Sequence, residues 1–258
     1  MNILVIGDII GKPGRKAVIN LLPKLKREYR LDLVIANGEN AAGGMGITPE
    51  IVEELYASGI NVITSGNHVW KHKEIYGTLD KDPALLRPAN YPPRVPGKGS
   101  GIFFTEKGDK VGVLNLMGRV FLAELDCPFR KADEEIEKLS RETKVVVVDM
   151  HAEITSEKTA MGWYLDGRVS AVVGTHTHIP TADERILPKG TAYITDVGMV
   201  GSLDSVIGVK KELALKRFLS QIPIRFEVEK ENIYLQGVVI SIDAKTGRAK
   251  KIERIQKR

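Results

Sequence analysis

A single cysteine, Cys127, in 258 residues leaves no partner for an intrachain disulfide, which fits a reducing compartment. No apolar run approaches the roughly 20 residues that a membrane helix needs. The chain opens directly into the strand-like Met1-Asn2-Ile3-Leu4-Val5-Ile6, without a basic segment, long apolar stretch and cleavage site. A cytoplasmic location without membrane contact is therefore expected. Repeats, low-complexity tracts and a clear linker are also missing, so one domain over residues 1–258 is expected. Nucleotide loops are absent too. Gly7 and Gly11 are three residues apart and Pro13 follows Lys12, whereas a Walker loop needs four intervening residues and then Ser or Thr. The spacing of Gly7, Gly11 and Gly14 misses G-x-G-x-x-G as well. These glycines are expected to let the backbone pass close to whatever Asp8 binds.

What is present has the make-up of a soluble globular protein, 43% hydrophobic and 28% charged. The net charge of +5 could draw in an anionic substrate. Basic residues are scattered, and their densest run, Lys245 to Arg258, reads as a solvated edge strand or as a nucleic-acid surface.

Short apolar strands alternate with amphipathic helices along the first half. Residues 2–7 precede a helix over about 15–28; residues 31–36 precede one that opens at Thr48-Pro49-Glu50 and ends near Gly59; a third strand covers 61–64. This alternation predicts a largely parallel sheet with ligands at the carboxyl ends of its strands. Five prolines between Asp80 and Ser100 exclude a regular element there. Strands follow at 101–105, 111–117, 144–149 and 171–174, with a helix at 132–141 and a hairpin around Leu187-Pro188-Lys189-Gly190. A helix over 210–219 and strands at 224–229, 233–242 and 248–255 complete the chain. The less periodic stretch 118–130 reads as a small lid or as an ordinary loop.

Chemistry concentrates where strands end. Val172-Val173-Gly174 runs into Thr175-His176-Thr177-His178, and residues i and i+2 of an extended chain point the same way. Both imidazoles can then serve one metal, although an H-x-H alone also fits an exposed loop. Four other apolar runs end in possible ligands: Asp8; Glu39 and Asn40; Asn67 and His68; and His151. Asp149 reads as a strand-end carboxylate or as a partner to a histidine. Asp196 and Asp204, near glycines, read as turn formers, and His72 as a surface helix residue. Trp163 and Tyr164 read as core residues of a helix, with base stacking as the alternative.

The ordered set Gly7-Asp8, Gly38-Glu39-Asn40, Gly66-Asn67-His68, His151 and Gly174-Thr175-His176-Thr177-His178 resembles the five-block signature of the calcineurin-like metallophosphoesterases. Within them the chain is most similar to the bacterial YmdB-type phosphodiesterases, over its whole length from Gly-Asp-Ile-Ile-Gly-Lys-Pro-Gly-Arg onward. The resemblance implies an α/β fold of four layers, an αββα sandwich with two facing mixed β-sheets flanked by helices. It also implies a dinuclear metal centre and hydrolysis of cyclic nucleotides, 2′,3′-cyclic or 3′,5′-cyclic monophosphates. Two departures stand out. Ile10 replaces the usual histidine of a D-x-H block, with Asn40 able to stand in for it, and Glu39 occupies a bridging position more often held by Asp.

On this resemblance Glu39 bridges two ions, Asp8, Asn40 and His178 complete one site, and Asn67, His151 and His176 the other. Imidazole, amide and carboxylate ligands together suit iron first, with manganese or zinc also compatible. A hydroxide held by the metals is the expected nucleophile, with His68 as general acid or as a residue that orients water. The rival readings are a phosphomonoesterase or nuclease on the same centre, and a metal-dependent regulator that binds a nucleotide or RNA without turnover. The expected partner is a small cyclic nucleotide; RNA and a homo-oligomer stay open.

Overall fold

The computed structural model describes residues 1–258. In its first half, β1 (Asn2–Ile6), β2 (Asp8–Ile9), α1 (Gly11–Tyr29), β3 (Leu33–Asn37), α2 (Pro49–Ala57), β4 (Val62–Thr64) and α3 (Tyr76–Lys81) follow one another, with one 3₁₀ turn at Lys73–Ile75. Next come β5 (Ser100–Phe104), β6 (Lys110–Met117), α4 (Pro128–Ser140), β7 (Val146–His151), α5 (Thr155–Leu165) and β8 (Ala171–Thr175). The remainder is β9 (Arg185–Ile186), β10 (Ala192–Ile194), β11 (Met199–Ser202), β12 (Ser205–Val206), β13 (Val209–Lys210), α6 (Lys211–Ser220), β14 (Ile233–Ile242) and β15 (Ala249–Lys257).

Two mixed sheets result. One runs β2-β11-β14-β1-β3-β4, with β15 on the other side of β14, and the other runs β5-β6-β7-β8-β10-β9. Strands β1, β3 and β4 are parallel to one another, as are β6, β7 and β8. Side chains alternate across each strand, and the burial follows that alternation into three separate cores. Ile3, Val5 and Ile35 of the first sheet pack against Val113, Val147 and Val173 of the second. Their neighbours Leu4, Ile6 and Val34 face outward onto Val18 and Leu22 of α1 and Leu55 of α2. On the far side, Leu114, Val148 and Val172 face Ile136 of α4 and Met161 of α5. Helix, sheet, sheet, helix is thus the order of layers, as the resemblance implies.

Several expectations need correction. The first helix begins at Gly11, earlier than 15, and carries Pro23 within it. Gly7, ahead of it, is required by backbone packing: a Cβ there would lie 1.9 Å from the Gly198 carbonyl oxygen. Residues 224–229 form no strand; Val228 makes a single bridge to Val209 at the edge of the short β12–β13 pair. His72 precedes the 3₁₀ turn rather than lying in a helix. Trp163 and Tyr164 are 50% and 43% exposed, and Lys158, Met161 and Leu165 take the inward face of α5 instead. The C-terminal segment is an edge strand with exposed lysines, as read.

Candidate metal centre

The carboxyl ends of the parallel strands from both sheets meet at one edge, where side chains from separate stretches of sequence are brought together. All seven predicted ligands converge there, together with His68. Asp8, Glu39 and His151 have no solvent exposure, and Asn40 has 1%.

The donor atoms fall into two groups that share Glu39. In the inner group, His151 Nε2 lies 3.2 Å from Glu39 Oε1, 3.2 Å from Asn67 Oδ1 and 3.0 Å from His176 Nδ1. The outer group surrounds Asn40, whose amide nitrogen is 3.4 Å from Asp8 Oδ1, 3.3 Å from Glu39 Oε1 and 3.2 Å from His178 Nε2. Gly66 borders the inner group because nothing larger fits: a Cβ there would lie 2.1 Å from His151 Nε2 and 2.5 Å from Glu39 Oε2.

Hydrogen bonds behind the histidines decide which nitrogens are free. The Thr175 hydroxyl donates to Asp149 Oδ1 at 2.8 Å, so its oxygen accepts from His151 Nδ1–H at 2.9 Å. His176 Nε2–H donates to Glu153 Oε2 at 2.8 Å, and His178 Nδ1–H to the Ile207 carbonyl at 2.9 Å. In its neutral form each ring then turns an unprotonated nitrogen toward the others. With the imidazoles neutral, the lone pairs of His151 Nε2, His176 Nδ1, Asn67 Oδ1 and Glu39 Oε1 face one another; without a cation, Glu39 instead raises the pKa of His151 against the effect of burial, so that a proton takes up part of this charge. A cation at their centre satisfies all four, and this mix of nitrogen and oxygen donors suits a first-row transition metal. The ligand atoms of Glu39, His151 and His176 already lie within 4.8 Å of one another.

The outer group accepts a cation through one rearrangement. Asn40 Oδ1 accepts from His68 Nδ1 at 2.7 Å while its NH₂ occupies the space among the other donors. Turning the amide over exchanges the two ends and offers oxygen to the group.

The local electrostatics agree. Burial pushes the Asp8 carboxyl up, but His178, hydrogen-bonded to it, and His151 pull it well below the ordinary carboxylate range. Burial also raises Glu39, and the charge and hydrogen bond of His151 outweigh it, leaving a net depression. Burial depresses His178, yet Asp8 lifts it to about 9. His176 goes the other way, to about 4, through burial and the neighbouring His151. Asp149 is pushed up to about 6 by burial.

The loop that carries His176 and His178 is strained, with φ of 97° and 65° at two non-glycine residues. Such conformations cost about 1–3 kcal/mol each and need fixing from outside. Asp196 supplies the clamp. It closes a turn as expected, accepting the Gly198 N–H at 2.8 Å, but its other oxygen accepts the Thr177 N–H at 3.1 Å and the Thr177 hydroxyl at 2.7 Å. Buried Lys158 pairs with that oxygen at 2.8 Å, and Asp8 Oδ2 accepts the His176 N–H at 3.1 Å. Lys158, Glu153, Thr175 and the clamping role of Asp196 were not foreseen. Of these supports only Asp149 had a sequence signal, its place two residues before His151.

Two facing mixed sheets with this donor set at their common edge define the metallophosphoesterase class. The model of the YmdB-like protein family matches residues 4–255. A 2′,3′-cyclic-nucleotide 2′-phosphodiesterase of Bacillus subtilis strain 168 is 53% identical over 255 residues, covering 99% of this chain and 96% of that protein. A crystal structure of a hypothetical protein from Thermus thermophilus superposes with a TM-score of 0.93 at 42% identity, over 99% of this chain and 98% of that one. A novel phosphatase from Mycoplasma pneumoniae gives 0.92 at 40% identity, over 99% and 92%. The chain belongs to the YmdB-like family and is an enzyme, a phosphodiesterase.

Proposed function

We propose that the chain hydrolyses cyclic nucleotides at a centre of two cations. Glu39 is the shared donor, with Asn67, His151 and His176 on the inner side and Asp8, Asn40 and His178 on the outer side. The carrying observation is the inner group itself, with Glu39 Oε1, Asn67 Oδ1 and His176 Nδ1 at 3.2, 3.2 and 3.0 Å from His151 Nε2. Bound divalent cations, iron first and manganese or zinc also suited, supply Lewis-acid activation of water and of the phosphoryl oxygens. The B. subtilis relative supports a 2′,3′-cyclic substrate opened at the 2′ side, and 3′,5′-cyclic monophosphates are the second substrate to try.

His68 gives the departing ribose oxygen its proton. Its backbone N–H donates to Glu39 Oε2 at 3.0 Å, which fixes it beside the shared carboxylate, and its side chain is 30% exposed toward the adjoining cavity. As an imidazolium it donates through Nε2, the nitrogen that Asn40 does not engage, while Nδ1 lies 2.7 Å from Asn40 Oδ1 and 3.4 Å from Glu39 Oε1.

The leaving group tests this. In His68→Ala, opening of adenosine 2′,3′-cyclic monophosphate should fall by roughly 10²–10⁴. Hydrolysis of bis-p-nitrophenyl phosphate, whose leaving group needs no proton, should fall less than about tenfold, with metal content unchanged. Equal losses on both substrates would remove the general-acid role. Faster release of phosphate from a monoester than opening of any cyclic diester would favour the phosphomonoesterase reading.

A further inference from the structure

Next to the donor cluster lies an open cavity of about 680 Å³ that shares Asn40, His68 and His178 with it. Its opposite wall is apolar. Phe218 comes from α6, Phe226 from the segment that fails to become a strand, Ile207 from the β12–β13 hairpin and Met45 from the glycine-rich loop after β3. These four side chains are 67%, 46%, 45% and 44% exposed, a concentration of uncovered apolar surface at one place. Nothing in the metal chemistry requires it. Lys71 and Arg225 add positive charge along the same wall.

We infer that this wall is the nucleobase subsite of the enzyme, with the base lodged against Phe218 and Phe226 while the cyclic phosphate sits at the donor cluster. The inference rests on the reading of the chain as a cyclic-nucleotide hydrolase. Two observations carry it, the join between wall and cluster and the size of the cavity, together with the shape of the ligand. The wall adjoins the cluster, since the cavity is lined by Asn40, His68 and His178 and the Ile207 carbonyl that accepts from His178 belongs to another lining residue. A nucleotide spans that join by its own shape, an anionic phosphate linked through ribose to a planar apolar ring. The volume falls within the range of small-molecule sites, and aromatic side chains accept any base on their faces. The cations suit the anionic end of the same ligand.

Packing against two glycines holds residues 222–228 on their irregular course. Val228 Cγ2 would sit only 3.0 Å from a Cβ at Gly44 and 3.2 Å from one at Gly11, so the segment is packed against the glycine-rich loop, and Phe226 is carried to the cavity two residues earlier.

The test compares ligands with and without a base in Phe226→Ala and Phe218→Ala, two exposed positions whose truncation leaves the core intact. For adenosine 2′,3′-cyclic monophosphate, KM should rise about tenfold, the scale of one base–aromatic contact, with kcat little changed. For 1-O-methylribose 2′,3′-cyclic phosphate, which has no base, KM and kcat should match the wild type. Equal effects on both esters, or none on either, would overturn the subsite. A second measurement is independent of turnover. By calorimetry, metal-loaded wild type should bind adenosine 3′-monophosphate about tenfold tighter than ribose 3-phosphate, and Phe226→Ala should remove the difference. A wild type that binds the two alike overturns the subsite even if it hydrolyses cyclic nucleotides. One that distinguishes them but opens no cyclic nucleotide supports the subsite and overturns the proposed reaction.

Discussion

His176 and His178 sit two residues apart on one loop, yet their surroundings treat them oppositely. His176, in the inner group, is held to about 4 by burial and by His151, and so is neutral at physiological pH. His178, in the outer group, is carried to about 9 by Asp8 against the effect of burial. The inner group also rests on buried polar supports, with Asp149 and Thr175 behind His151. The outer group looks onto the cavity through His178 and Asn40. One end of the site is therefore prearranged to hold, and the other is set to exchange a proton, a cation or a substrate oxygen.

The largest effect should come from erasing the distinction altogether. Glu39→Ala removes the donor common to both groups, so metal content should drop at both positions and diester hydrolysis should fall by more than about 10³. Elemental analysis beside a bis-p-nitrophenyl phosphate assay would show it; one retained metal with substantial activity would mean the groups are independent. Next in size is the clamp behind the loop. Lys158→Met leaves Asp196 buried without its partner, which should cost about 3–5 kcal/mol in denaturant unfolding. Metal retention should fall at both ends of the loop, since Thr177 lies between the two histidines.

The smallest effect sharpens the contrast. A histidine whose folded pKa is raised binds its proton more tightly in the native state. Its stabilisation of the metal-free protein is complete below about pH 6.5 and is lost as pH rises toward about 9. A cation at the outer group competes with that proton. Its affinity should climb by up to about tenfold per pH unit through that window and then level off. His176, already neutral there, should add no such slope. Metal titrations across the window, with His178→Ala for comparison, would show whether the slope belongs to this residue.

Much of this site was legible because the candidate ligands stand where apolar strands stop, a position that sequence displays directly. Asp8, Glu39, Asn67, His151 and His176 each follow a run of Val, Ile or Leu, and the fold brings those ends to one edge. The supports were not legible, because they depend on which way a helix turns. In α5 the aromatic pair Trp163 and Tyr164 suggests an inward face, but Lys158 occupies it and reaches Asp196 across 38 positions of sequence. A buried lysine becomes tolerable only once its carboxylate is present, and no local pattern announces the pair. Residues 224–229 misled for a related reason. Their alternation fits a strand, but the segment pairs at one point only, where Val228 bridges to Val209 of the short β12–β13 hairpin.

The arrangement of β14 bears on how the protein is made. Its partners are β1 and β11 on one side and β15 on the other, and the Met1 amino group itself donates to the Ile242 carbonyl. On the ribosome, the sheet spanning Ser100 to Ile194 can close as soon as it emerges, but the sheet begun by β1 keeps an open side until β14 and β15 have been translated. A nascent chain stalled before Ile233 already contains every donor of the centre, on a scaffold still lacking its middle strand.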